Sequence, residues 1–160
     1  MRTRGRARPG AGCSHVPVEA ILNAMKTHAL DGRVTVVVAD DHPVYRDGLV
    51  RAICSSAELE LLGEAADGRE AERVIEERSP DVALVDVKMP ALGGVELCER
   101  LIGRGAPTRV VMISAYLDPN LVARALRAGA AAYLGKDASR DEICEALVRV
   151  GRGLVGAEVP

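Results

Sequence analysis

The chain has 160 residues, 48% hydrophobic and 28% charged, the length and balance of one globular domain with a tail rather than of two full domains. Its net charge of −2 combines a basic segment, residues 1–33 at +4, with an acidic remainder at −6, which excludes non-specific nucleic-acid binding by the main body. No apolar run reaches the roughly 18 residues of a membrane span, and the absence of Phe and Trp removes base-stacking platforms and demands an aliphatic core.

Residues 1–32 hold no strand period, and their Gly, Pro and Arg content predicts a disordered leader with at most a short helix around Val18–Lys26. The basic start MRTRGRARPG runs into Gly, Ser, Pro and His instead of the apolar stretch of a secretory signal. From Arg33 the texture changes. Val34–Ala39 (VTVVVA) is an apolar, β-branched run that reads as a strand buried on both faces. Asp40-Asp41-His42-Pro43 breaks it. Pro43 suits a helix first turn, and Tyr45, Leu49, Ala52 and Ile53 then recur at helical spacing. The unit repeats: strand Leu59–Ala65, then helix Gly68–Arg78 with Ala71, Val74 and Ile75 inward; strand Asp81–Asp86, then a helix whose inner face is Val95, Cys98, Leu101 and Ile102. Strand Arg109–Ser114 precedes Asp118-Pro119, an N-cap with proline at the first helical position, opening a helix to about Ala128. Ala131–Leu134 is the fifth strand. Ser139 and Glu142 have capping-box spacing, and Ile143, Ala146, Leu147 and Val150 form the inner stripe of the last helix. Five strands alternating with five helices predict a doubly wound α/β domain over residues 33–155, its parallel sheet covered on both faces, with 156–160 as a tail or the start of a linker.

Four cysteines, Cys13, Cys54, Cys98 and Cys144, lie far apart with no C-x-x-C. That spacing suits neither zinc nor a disulfide framework and predicts buried free thiols in a reducing, cytoplasmic setting.

Ligands of such sheets bind beyond the carboxyl ends of the strands, where strand order reverses. Strand one ends in Asp40 and Asp41, strand three in Asp86, strand four in Ser114, and Lys136 follows strand five. Three carboxylates on one rim repel one another strongly, a repulsion that a hard divalent cation, most simply Mg2+, relieves. A lysine and a hydroxyl opposite them suit the oxygens of a transferring phosphoryl group.

The segments VVVADDHPVYRDGLVRAI, LVDVKMPALGGVEL, VVMISAY and AAYLGKD resemble the receiver domain of two-component response regulators, and most nearly its NarL/LuxR class. The resemblance spans about 120 residues, with 45 positions from Asp41 to Asp86, 28 from there to Ser114 and 22 from there to Lys136. It implies a flavodoxin-like sheet in the order 2-1-3-4-5 and a chain that is a phosphoacceptor, with self-catalysed transfer and autodephosphorylation, rather than an enzyme in the usual sense. Asp86 would take the phosphoryl group from the phosphohistidine of a sensor histidine kinase. Asp40, Asp41, Asp86 and the backbone carbonyl of Lys88 would hold Mg2+. Lys136 and Ser114 would bind the phosphoryl oxygens, and Ser114 with Tyr133 would form the switch. Where the wider family has a Lys-Pro step, this chain reads Lys136-Asp137, as the NarL/LuxR class does.

Plainer readings stand beside these. Asp40 alone is a helix N-cap, Ser114 alone a strand-end hydroxyl, and Tyr133 a half-buried strand tyrosine. His42 reads as a loop histidine rather than a ligand. Met89-Pro90 and Gly93-Gly94 shape the loop after Asp86, the glycines permitting positive φ. Gly151–Gly156 matches G-x-G-x-x-G but follows a helix, so it reads as a helix C-terminus and not a dinucleotide fingerprint. The rival function is an aspartyl-phosphate phosphatase or phosphotransferase of similar topology, but those place a second Asp two residues after the nucleophile, where this chain has Lys88. Members of the NarL/LuxR class carry a DNA-binding helix-turn-helix domain after the receiver. The sequence before Pro160 leaves no room for one, so no DNA binding is expected of this chain itself. Its output is expected to be a protein surface over Asp118–Arg152, where Arg124, Arg127, Arg140 and Arg149 mix with Asp141, Glu142 and Glu145 in a pattern suited to a phosphorylation-dependent homodimer.

Overall fold

A computed structural model describes residues 32–154. The leader, its helix at Val18–Lys26, Cys13 and the tail 156–160 lie outside the described residues. Five strands, β1 (Val34–Ala39), β2 (Leu59–Ala65), β3 (Val82–Asp86), β4 (Arg109–Ser114) and β5 (Ala132–Gly135), alternate with five helices, α1 (Pro43–Ser55), α2 (Gly68–Arg78), α3 (Gly94–Gly103), α4 (Pro119–Arg127) and α5 (Arg140–Gly151). The strands form one parallel sheet in the order β2-β1-β3-β4-β5, the flavodoxin-like arrangement expected. Strand order reverses between β1 and β3, which puts a crevice at their carboxyl ends.

The period of two in a strand explains how one short apolar run serves two cores. Val34, Val36 and Val38 of β1, with Val82, Leu84, Val111 and Ile113, meet Leu49 and Ile53 of α1 and Ile143 and Leu147 of α5. Val37 and Ala39, with Ala83, Val85, Val110 and Met112, meet Ala71 and Ile75 of α2, Cys98 and Leu101 of α3 and Ala125 of α4. The helices therefore divide two and three across the sheet, and apart from Thr35 and the terminal Asp86, β1, β3 and the core of β4 are apolar on both faces because neither face meets water.

Several boundaries differ from expectation for local reasons. Asp81 is not part of β3: its carboxylate accepts the Thr35 N–H and hydroxyl at 2.9 and 2.8 Å, and its own N–H donates to Thr35 Oγ at 2.9 Å. That side-chain knot replaces the ladder at the amino edge. β5 runs one residue later than expected, although the Ala131 N–H still reaches the Val110 carbonyl at 2.8 Å. Ile102 is 45% exposed and belongs to the outer face of α3, leaving Val95, Leu97, Cys98 and Leu101 inward. Of the three described thiols, only Cys98 is buried as expected, whereas Cys144 is half-buried and Cys54 exposed. Burial pushes the Cys98 thiol up to about 11. In the loop after β3 the positive φ falls on Ala91 (67°), not on Gly93 (φ −66°). The glycine required there is Gly94, for another reason: a Cβ on it would run into the Asp86 carbonyl.

Candidate functional site

Asp40 follows β1 directly, and its N–H continues the ladder to the Ala65 carbonyl at 3.1 Å. Its side chain is fully buried. Its Oδ1 accepts the His42 N–H at 2.8 Å, an Asx turn that swings the chain into α1. Arg46, one turn into that helix, donates to the Asp40 carbonyl at 2.7 Å. Asp86 closes β3 opposite Ile113 and is 2% exposed. Its Oδ1 accepts the Lys88 N–H at 3.2 Å. The pairing of Ser114 with Gly135 carries Lys136 to the same edge, where its N–H bonds to the Ser114 carbonyl at 2.8 Å. From there the ammonium reaches Asp86 Oδ2 at 2.8 Å and Asp40 Oδ2 at 2.7 Å. Neither Asp40 Oδ2 nor Asp41 Oδ1 accepts a hydrogen bond of good geometry although both are buried, so the contact of Asp40 Oδ2 with Lys136 is an ion pair only.

Electrostatics follow from this enclosure. Burial raises the Asp86 carboxyl above its ordinary range, against the opposing pull of Lys136 and of the Lys88 N–H. For Lys136, burial favours loss of the proton, yet pairing with the Asp40 and Asp86 carboxylates outweighs it and raises its pKa. The ammonium bridges two buried carboxylates, and Asp41 beside them is left to another partner. That partner is His42. Its Nδ1 stands 2.9 Å from Asp41 Oδ1, 3.2 Å from Asp40 Oδ1 and 3.8 Å from Asp86 Oδ2. It is a loop residue as expected, but its ring lies among the acids. Asp40, Asp41, His42 and Asp86 offer ligand atoms that all lie within 4.8 Å of one another, a compact, mostly oxygen donor set of the kind hard divalent cations take.

Ser114 and Tyr133 meet through a third residue. Ser114 Oγ accepts the Tyr116 N–H at 3.2 Å, and the Tyr133 hydroxyl donates to the Tyr116 carbonyl at 3.0 Å. Tyr133 is fully buried, not half-buried, with its ring in the α2–α3–α4 core. Lys88 swings away from the carboxylates, its ammonium 4.9 Å from the centroid of the Tyr116 ring. Sequence reasoning passed over Tyr45, Arg46 and Tyr116 as site neighbours and read His42 as a loop histidine rather than a ligand. A helix starting at Pro43 places its first turn over the end of β1, but which of its side chains reach the acids depends on directions that spacing does not show. A cavity of about 650 Å³ between α1 and α5, lined among others by Ser55, Ser56, Arg140, Cys144 and Arg149, shares no residue with the acidic cluster.

Fold and site together define a class: a doubly wound domain with an aspartate-centred acidic cluster at the carboxyl edge of its parallel sheet. The model of the response regulator receiver domain matches residues 36–148, and the chain belongs to that family. The transcriptional regulatory protein NarL of Mycobacterium tuberculosis is 43% identical over 121 residues, 76% of this chain and 56% of that protein. The solved signal receiver domain of the M. tuberculosis NarL response regulator matches with TM-score 0.74 over 76% of this chain and 98% of the other, at 43% identity. CheY of Borrelia burgdorferi, solved in complex with CheX, BeF3− and Mg2+, is 26% identical with TM-score 0.66 over 73% of this chain and 88% of that one. The chain is thus a receiver domain of the type found in NarL/LuxR regulators of two-component systems, and it spans about half the length of the curated relatives it matches. No described helix is long and apolar enough to cross a membrane.

Proposed function

We propose that Asp86 is the phosphoacceptor of a two-component phosphorelay, served by a sensor histidine kinase in the cytoplasm. The observation that carries this reading is the meeting of Asp40, Asp86 and Lys136 at distances of 2.7 and 2.8 Å on the carboxyl edge of the sheet. A carboxylate oxygen of Asp86 attacks the phosphorus of a phosphohistidine, the P–N bond breaks, and the imidazole leaves with a proton from solvent. The product is an acyl phosphate that water later hydrolyses. Asp40, Asp41, Asp86 and the Lys88 carbonyl would hold Mg2+, and the buried oxygens Asp40 Oδ2 and Asp41 Oδ1, which have ionic neighbours but accept no hydrogen bond of good geometry, fit that cation. Mg2+, when bound, supplies positive charge to the carboxylates and to the phosphoryl oxygens. The CheY relative was solved with BeF3− and Mg2+, a mimic of phosphoryl with the same metal.

In this reading Lys136 gives up part of its pairing with Asp86 to meet a phosphoryl oxygen. Ser114 turns its hydroxyl from the Tyr116 N–H to the same group. The Tyr116 backbone, held between Ser114 and Tyr133, then carries the change toward β5 and α4. The output is a phosphorylation-dependent homodimer over Asp118–Arg152, or contact with an effector domain such as the DNA-binding part of a longer regulator. The phosphatase alternative lacks support, because the residue two beyond Asp86 is a lysine engaged with Tyr116. Intact-mass labelling by acetyl phosphate tests the proposal. Wild-type protein gains one phosphoryl group in Mg2+ and none in excess chelator, and Asp86→Asn gains none. A labelled Asp86→Asn protein, or labelling indifferent to chelator, overturns it.

A further inference from the structure

Tyr45 stands in the first turn of α1, half-buried against the α1–α5 core, and belongs neither to the acidic cluster nor to the Ser114–Tyr116–Tyr133 chain. Yet it touches Lys136 twice. The Lys136 ammonium lies 4.7 Å from the centroid of its ring, and its hydroxyl donates, over a long 3.4 Å, to the Lys136 carbonyl. The guanidinium of Arg140, the first residue of α5, lies 4.3 Å from the same centroid. Gly48, one turn further along α1, leaves room for that guanidinium, since a Cβ there would come within 2.9 Å of Arg140 Nη2.

A lysine on a flexible four-carbon stem has many rotamers, and a productive position over Asp86 must be held by something. The Asp86 carboxylate accepts a hydrogen bond from the ammonium at 2.8 Å, but a phosphoryl group on that carboxylate would compete for it. An aromatic face offers an attraction that is directional and is not consumed by proton or metal binding. We propose that Tyr45 is a positioning residue for the Lys136 ammonium, and that Arg140 on the same ring ties this placement to the amino end of α5. The claim rests on Lys136 being the phosphoryl-binding group. Leucine at this position fills similar space without a π face, so it separates positioning from packing, and phenylalanine keeps the face while losing the hydroxyl.

The test uses the full chain in two readouts. In NMR spectra of the unphosphorylated protein, the ring current displaces the Lys136 ε-methylene signals upfield of ordinary lysine; they stay displaced in Tyr45→Phe and return to the ordinary position in Tyr45→Leu. This readout is independent of whether Asp86 accepts phosphate. In Mg2+ and acetyl phosphate, Tyr45→Leu labels about threefold more slowly than wild type, the loss expected of one partly exposed cation–π contact, and Tyr45→Phe labels at close to the wild-type rate. Undisplaced Lys136 signals in the wild type, which require no variant to fold, overturn the proposal, as does a Tyr45→Leu protein that labels as fast as wild type.

Discussion

Asp86 is held at 2% exposure between one ammonium and two further acids, and its burial leaves a mark on stability. With its pKa raised above 3.8 by desolvation, the native protein keeps a proton that the unfolded chain has already released just above that pH. The native state binds more protons there, so the contribution of this group to stability falls as pH rises through the interval. Asp86→Asn carries no such proton. The unfolding free energy of the variant relative to wild type is therefore expected to grow as pH rises above 3.8. Urea denaturation of both proteins across that range measures it, and a gap that narrows with rising pH contradicts the assignment. At this scale the sequence was most informative about residue types at strand ends. Asp40, Asp86 and Lys136 converge because three parallel strands end on one edge, a consequence of topology alone. The reach of the His42 ring to Asp41 and of Tyr45 to Lys136 was not legible, because it depends on side-chain directions set by the turn into α1. Single residues in that turn carry no periodic signal.

Each helix approaches the sheet under its own local instruction. α5 begins with a complete capping box: the Glu142 N–H donates to Ser139 Oγ at 3.2 Å and the Ser139 N–H to Glu142 Oε2 at 2.7 Å. Ser139→Ala removes the first of these and is expected to cost about 1 kcal/mol, read as a lower urea midpoint with unchanged m-value. A midpoint equal to wild type would falsify the view that this cap holds the helix start. α4 starts on Asp118, whose carboxylate accepts the Asn120 N–H at 2.9 Å. This cap, like the capping box of α5, was readable directly from residue type and spacing. The inner face of α3 was misjudged at Ile102, because the i, i+3, i+4 stripe continues past the point where the helix leaves the sheet. The loop before it was misread for a related reason. A pair of glycines suggests positive φ, but Gly94 is needed for its missing side chain against the Asp86 carbonyl, and Ala91 takes the left-handed conformation instead. Tight approach between backbones leaves no trace in the pattern of a single chain.

Across the whole domain, the sheet is closed on both faces by helices, and its edges are β2 and β5. Beside β5, α4 covers one face and α5 the other, so the expected output surface wraps one edge of the molecule. If that edge pairs with a second copy on phosphorylation, light scattering registers a rise in mass on adding acetyl phosphate and Mg2+ to wild type and none for Asp86→Asn; a mass unchanged by phosphorylation removes the homodimer. The layered architecture was legible because continuous apolar strands can be buried only between two layers of helix. The division of helices between the faces was not, since α/β alternation alone does not say which crossover lies on which side, and that follows from the strand order. The central claim, that this edge transfers a phosphoryl group to one particular carboxylate among three, is tested most directly by chemical trapping. Borohydride reduction of the labelled protein converts an aspartyl phosphate to homoserine, and peptide sequencing by mass spectrometry locates it. Homoserine at position 86 alone is the expected result, and homoserine at position 40 or 41, or its absence from a labelled protein, contradicts the account.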